Sequence, residues 1–239
     1  MVGQCCSTGF TWDGKPVGSE TKLASMDAYV TGDNKDRTIL ICPDIFGWKL
    51  NNTRLLADHF AQEANATVYL VDPFEGGAVK VEDMNNGKFD LNGFIAKNNK
   101  EKLYPAYEAV VKELKAKYKK IGIASYCYGG WTAAQLGGKG KNLVDVIHLA
   151  HPSLLTNELL DGIAVPALFI VPETDPIFTS ELQAHAKEVL PKSGAAFKWI
   201  DFPGVAHGFA TRGDPSNDTQ RKALEKAKND TVDWFNSQL

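Results

Sequence analysis

The chain has 239 residues, with 26 Lys and Arg against 29 Asp and Glu, a formal charge of −3 at pH 7 and 44% hydrophobic residues. This composition excludes a disordered chain and supports a substantial core without a metal or disulfide staple. A near-neutral charge without a basic block argues against nucleic acid as the main partner, and no apolar run approaches the roughly 20 residues that span a bilayer.

The chain opens Met1-Val2-Gly3-Gln4-Cys5-Cys6, with neither the basic start nor the apolar core of a secretory signal. Its cysteines, Cys5, Cys6, Cys42 and Cys127, show no CxxC spacing and are too few for a disulfide framework. Reduced thiols in a cytoplasmic protein are expected, with Cys5-Cys6 unreacted and no membrane partner. Residues 23–30 read as an early strand. Residues 38–42 form a short apolar run, as in a strand buried on both faces. Residues 53–63 have helical spacing, with Leu55, Leu56, His59 and Phe60 on one face. Residues 67–71 read as a strand that stops at Asp72-Pro73. Residues 75–99 are rich in Gly, Asn and Lys and read as loops with a short helix. Residues 105–118 carry Tyr107, Val110, Val111, Leu114 and Tyr118 at helical spacing.

Further strands are expected at residues 121–125, 144–150, 167–171 and 197–202, and further helices at 129–136, 179–190 and 219–235. No repeat or linker interrupts residues 1–239, so one domain is expected. Strands alternating with helices make it an α/β protein with a mostly parallel sheet and helices on both faces. In such sheets ligands bind beyond the carboxyl ends of the strands.

Three residues sit at such ends. Ser125-Tyr126-Cys127-Tyr128-Gly129-Gly130 is a small-x-nucleophile-x-Gly elbow between strand and helix, with Cys127 at the nucleophile position. The turn is tight, so its flanking residues must be small. It places the sulfur at a helix N-terminus, where free N–H groups favour thiolate. Asp175 follows the strand at 167–171, with Glu173 as the competing acid. His207 follows the strand at 197–202. The order nucleophile, acid, histidine is that of α/β-hydrolases.

Together with Cys5-Cys6 and Gly9, Pro43-Asp44-Ile45-Phe46-Gly47, Asn51-Asn52-Thr53, Ala150-His151-Pro152-Ser153 and Gly204-Val205-Ala206-His207-Gly208-Phe209-Ala210, the elbow gives the chain a nearly end-to-end resemblance to the dienelactone hydrolase (carboxymethylenebutenolidase) family, nearest its fungal branch. The resemblance implies an α/β-hydrolase fold without a large cap and a Cys127–His207–Asp175 triad. It implies an oxyanion hole from the backbone N–H groups of Ile45 and Tyr128. Ser125 stands where the family usually has Gly. Asp44 stands where bacterial relatives carry a Glu that contacts the resting thiol. Arg212 lies one residue from the match to one of two arginines that bind the substrate carboxylate there, and residues 75–99 offer no match to the other.

Phe46, Phe74 and His151 lie after strands and are candidate substrate-binding residues, with Arg212 as a carboxylate clamp. His148 and His151 are expected on opposite faces of their strand, so no metal pair is expected, nor any cofactor. His59 and His185 read as helix-surface residues. The leading reading is hydrolysis of a small activated ester or lactone through an acyl-cysteine. The alternatives are a thioesterase, a broad detoxifying esterase, or a non-catalytic redox sensor using Cys127. The sequence leaves monomer or dimer open.

Overall fold

A computed structural model describes residues 10–86 and 89–239. The Cys5-Cys6 pair and the chain start lie outside the described residues. Eight strands form one sheet in the order β1-β2-β4-β3-β5-β6-β7-β8. They are β1 (Ser19–Leu23), β2 (Met26–Thr31), β3 (Arg37–Cys42), β4 (Thr67–Val71), β5 (Lys120–Tyr126), β6 (Val146–Ala150), β7 (Ala167–Thr174) and β8 (Phe197–Ala206). β2 runs antiparallel to both of its neighbours, and every other pairing is parallel.

The helices are α1 (Asn51–Glu63), α2 (Val81–Asn85), α3 (Leu91–Lys97), α4 (Lys100–Lys117), α5 (Gly130–Leu136), α6 (Asn157–Gly162), α7 (Ser180–Val189), α8 (Phe209–Arg212) and α9 (Asp218–Gln238). Side chains alternate across the strands, so each strand feeds two cores. Leu40, Ile123, Leu149 and Phe169 pack beneath α4, α5 and α6, against Tyr107, Val111, Trp131 and Leu160. Ile39, Ile41, Ala124 and Ile170 face α1 and α9, against Phe60, Ala227 and Phe235. No helix among the described residues is long and apolar enough to cross a membrane.

Several expectations need correction. Residues 23–30 are not one strand. They cross a hairpin in which Leu23 pairs with Met26, turning through Ala24 at φ +50°. Residues 75–99 hold two short helices, α2 and α3. Helix α4 begins at Lys100, before Pro105, because the Asn99 side chain accepts from Lys102 N and caps it. Pro105 lies inside the helix one turn past its start, where it removes the N–H that would donate to Glu101 O. Strand β6 starts at Val146, and Asp145 just before it is tied to β5 by its own N–H donating to Ile121 O at 2.9 Å and its Oδ2 accepting from Ile121 N at 2.8 Å.

Candidate active site

The turn after β5 is tight. Cys127 has φ +46°, a left-handed conformation that costs a non-glycine residue energy, and a short 3-10 turn leads from it into α5. The glycines beyond it are required by close approach. A Cβ on Gly129 would lie 2.3 Å from the Cys42 carbonyl oxygen, and one on Gly130 would lie 2.5 Å from Pro152 Cβ. Ser125 fits because its hydroxyl donates to the His148 carbonyl at 2.7 Å within the sheet.

His207 follows β8 and is anchored by its own N–H, which donates to Thr174 O at 2.9 Å. Its Nδ1 lies 2.9 Å from Asp175 Oδ2, and both side chains are fully buried. Asp175 is aimed by Ile177 N and Phe178 N, which donate to its Oδ1 at 2.9 and 3.0 Å. The competing Glu173 is exposed and accepts from Gly204 N. Asp175 is therefore the acid that holds the imidazole, which fixes the proton on Nδ1 and leaves Nε2 for the sulfur.

Burial alone would raise the Cys127 pKa and lower that of His207. The attraction between them outweighs burial for both. Cys127 is lowered by the charge of the neighbouring His207, with help from Arg212 and opposition from Asp44. His207 is lifted to about 9 by Cys127 and Asp175. The pair therefore favours thiolate and imidazolium. Nε2 itself is buried without an aligned hydrogen-bond partner. The attraction is electrostatic in this resting geometry, and such contacts tighten when substrate binds.

Asp44 does not contact the thiol as expected. Its Oδ2 accepts from Arg212 Nε at 3.0 Å and from Thr211 Oγ1 at 2.9 Å, and its Oδ1 accepts from Phe46 N at 3.0 Å. The sulfur lies 3.4 Å from the Ser153 hydroxyl instead. Arg212 is likewise not an open clamp. Its side chain is 2% exposed, ion-paired with Asp44 and stacked 4.8 Å from the Phe46 ring centre. Phe46 is buried as the platform for that guanidinium. A short side chain at position 44 reaches across to Arg212 rather than forward to the sulfur.

Ile45 and Tyr128 follow Cys42 and Ser125, which are paired across β3 and β5, at the same remove. The turn at Ile45 is held by Gly47 N donating to Asp44 O at 3.0 Å and Val79 N donating to Ile45 O at 2.8 Å. No described residue accepts the Ile45 N–H. Phe74 is buried against Phe94 and Tyr128, with ring centres at 4.9 and 5.5 Å, and the Tyr128 hydroxyl donates to Asn98 O. Phe74, Phe94 and Asn98 are thereby packed onto the elbow.

His151 leaves β6 at φ +36°. That turn swings it to the same side as His148, with Tyr126 against both, so the two are not on opposite faces. Its ring lies 5.0 Å from that of His207 and 5.9 Å from Phe209. Neither ring nitrogen has a hydrogen-bond partner. Burial, then the charges of His207 and Arg212, hold its pKa far below the usual range, and it stays neutral. Among the described residues no cluster of three His, Cys, Asp or Glu side chains is placed to hold a metal ion. His59 is exposed and faces Glu63, and His185 is half-buried and faces Asp161. Sequence reasoning missed Ser153 and Thr211. Ser153 was visible only as part of the motif after β6.

The sheet order, the elbow after β5, and an acid and a histidine each following its own strand define an α/β-hydrolase. The sequence profile of the Dienelactone hydrolase family matches residues 26–239, and the chain belongs to that family. It is 32% identical to Hydrolase tropI of Talaromyces stipitatus, over 98% of this chain and 96% of that one. It is 30% identical to Dienlactone hydrolase 1 of Gibberella moniliformis, over 97% and 92%. Among solved structures, dienelactone hydrolase from Anabaena variabilis matches with a TM-score of 0.64 at 14% identity, over 94% and 98%. Carboxyl esterase 2 from Tuber melanosporum matches with a TM-score of 0.66 at 15% identity, over 98% and 91%. The chain is thus an enzyme, a carboxylic ester hydrolase of ester or lactone type.

Proposed function

We propose that residues 1–239 form one hydrolase domain that cleaves a small activated ester or lactone through an acyl-cysteine on Cys127, with His207 and Asp175 completing the triad. The observation that carries this is the buried 2.9 Å contact between His207 and Asp175 beside a nucleophile-elbow cysteine. The Cys127 thiolate attacks the carbonyl carbon. The oxyanion that forms is met by the Ile45 and Tyr128 backbone N–H groups, whose fixed dipoles cost no reorganisation. The C–O bond breaks, and the imidazolium of His207 gives its Nε2 proton to the departing alkoxide or enolate. Neutral His207 then takes a proton from water. The hydroxide equivalent attacks the thioester, sulfur leaves as thiolate, and His207 is protonated as at the start. Asp175 holds the ring throughout and stabilises its charge.

Sulfur is a good nucleophile and a good leaving group. A tetrahedral intermediate built on it collapses forward only when the alkoxide leaves easily. Activated esters and enol lactones meet that condition, whereas an amide returns sulfur more readily unless its nitrogen is protonated first. Phe74 and its aromatic neighbours offer an apolar wall beside the elbow for the substrate's carbon skeleton, and His151 adds a neutral polar group beside His207. The test is mass spectrometry of the protein quenched during turnover of p-nitrophenyl acetate. An acetyl group on the Cys127 peptide is expected. Turnover with no acyl group on any cysteine would refute the covalent route.

A further inference from the structure

The loop after β6 is strained and closely fitted. Leu154 has φ +60°, in addition to His151 at φ +36°. Non-glycine residues hold such conformations only where the surroundings enforce them, and these cluster at functional sites. Pro152 packs against the elbow where Gly130 lacks a side chain. The Lys100 ammonium donates to Leu154 O at 2.6 Å and fixes the far end. Between these anchors Ser153 meets Cys127 twice. Its N–H donates to the Cys127 carbonyl at 2.7 Å, and its buried hydroxyl lies 3.4 Å from Cys127 Sγ.

We propose that Ser153 is a positioning residue whose hydroxyl donates to the Cys127 sulfur, holding it as thiolate and fixing the direction from which it attacks. A thiolate has no proton to give, so the hydroxyl must be the donor. A donor to the charged form favours that form. His207 and Arg212 also favour thiolate, and Asp44 opposes it. The Asp44 carboxylate only accepts, from Arg212, Thr211 and Phe46, so it cannot serve a thiolate, whereas the Ser153 hydroxyl lies 3.4 Å from the sulfur and can donate to it. The role rests on reading Cys127 as the nucleophile.

The experiment follows iodoacetamide alkylation of the Cys127 peptide by mass spectrometry across pH, in wild type, Ser153→Ala and Ser153→Thr. The midpoint of the rate profile reports the thiol pKa and needs no ester turnover. Loss of one charge-assisted hydrogen bond is worth about one pH unit. Ser153→Ala should move the midpoint up by about that much, and Ser153→Thr, which keeps the hydroxyl, should hold it near wild type. If Ser153→Ala does not fold, Ser153→Val, which matches Ser153→Thr in shape but lacks the hydroxyl, is read against Ser153→Thr in the same way. An unmoved or lowered midpoint overturns the inference. A moved midpoint in a protein whose ester turnover survives Cys127→Ala would instead refute the catalytic reading and leave the hydrogen bond standing.

Discussion

Arg212 Nε donates to Asp44 Oδ2 across 3.0 Å, with both side chains buried, and so joins the turn after β3 to α8 beneath the candidate nucleophile. The pair is a structural bracket more than an open substrate clamp. Removing one partner of a buried pair leaves the other charge uncompensated, which costs about 3–5 kcal/mol. Arg212→Ala should lose stability on that order in urea unfolding. It should also weaken acidic and neutral esters to the same extent. A selective rise in KM for acidic substrates would restore Arg212 as a carboxylate clamp.

Asp175→Asn keeps an oxygen for the Ile177 and Phe178 N–H groups, so the loop should stay folded. It presents His207 with a neutral amide and removes the support for imidazolium. A kcat loss of roughly 10²–10⁴-fold is expected at neutral pH, with circular dichroism unchanged. Wild-type kcat in the variant would exclude Asp175 as the triad acid and return attention to Glu173.

A methyl group at Gly129 has no room, because it would lie 2.3 Å from the Cys42 carbonyl oxygen. Backbone must shift to admit it, at a cost of about 1–3 kcal/mol. Gly129→Ala should therefore lower both the melting temperature and kcat by moving the sulfur from its place. Full activity with unchanged stability would show that the elbow is looser than its contacts imply.

The pH dependence follows from two opposed shifts. The His207 pKa is about 9 in the folded chain against an ordinary 6.5, so its contribution to stability is complete below 6.5 and is lost as pH rises through about 9. Cys127 is lowered from an ordinary 9.0, so its contribution is present above 9.0 and is lost as pH falls through its folded value. Above 6.5, and between that folded value and about 9, folded thiolate–imidazolium and unfolded thiol–imidazole hold the same number of protons. The pair then adds no slope to stability there. Cys127→Ser removes the thiolate that lifts His207 most, and the His207 imidazole should titrate well below its wild-type value by NMR. An identical titration in both proteins would mean that the ion pair does not form.

The alternation of strands and helices was legible because β3, β5, β6 and β7 are short apolar runs, and a parallel sheet buries both faces of such strands. Cys127, Asp175 and His207 stood out because each follows its own strand. The hairpin at Ala24-Ser25 was hidden because Ala24 is not a usual turn former and Ser25 stands without a Gly, Pro or Asn beside it, while Leu23 and Met26 continue an apolar pattern. The Asp44–Arg212 pairing was hidden for another reason. The two are 168 residues apart, and which way a short carboxylate turns depends on the packed site rather than on local pattern. The position of His151 beside His207 depends on one left-handed backbone conformation that no residue preference announces.

The central claim is that Cys127 carries the chemistry. The direct measurement is turnover of p-nitrophenyl acetate and a dienelactone by wild type and Cys127→Ala, each with its melting temperature recorded. The account predicts turnover of at least one of the two substrates by wild type. It also predicts a loss of at least roughly 10³-fold in a variant that remains folded, since the oxyanion groups alone retain only residual catalysis. Comparable turnover by both proteins would contradict it.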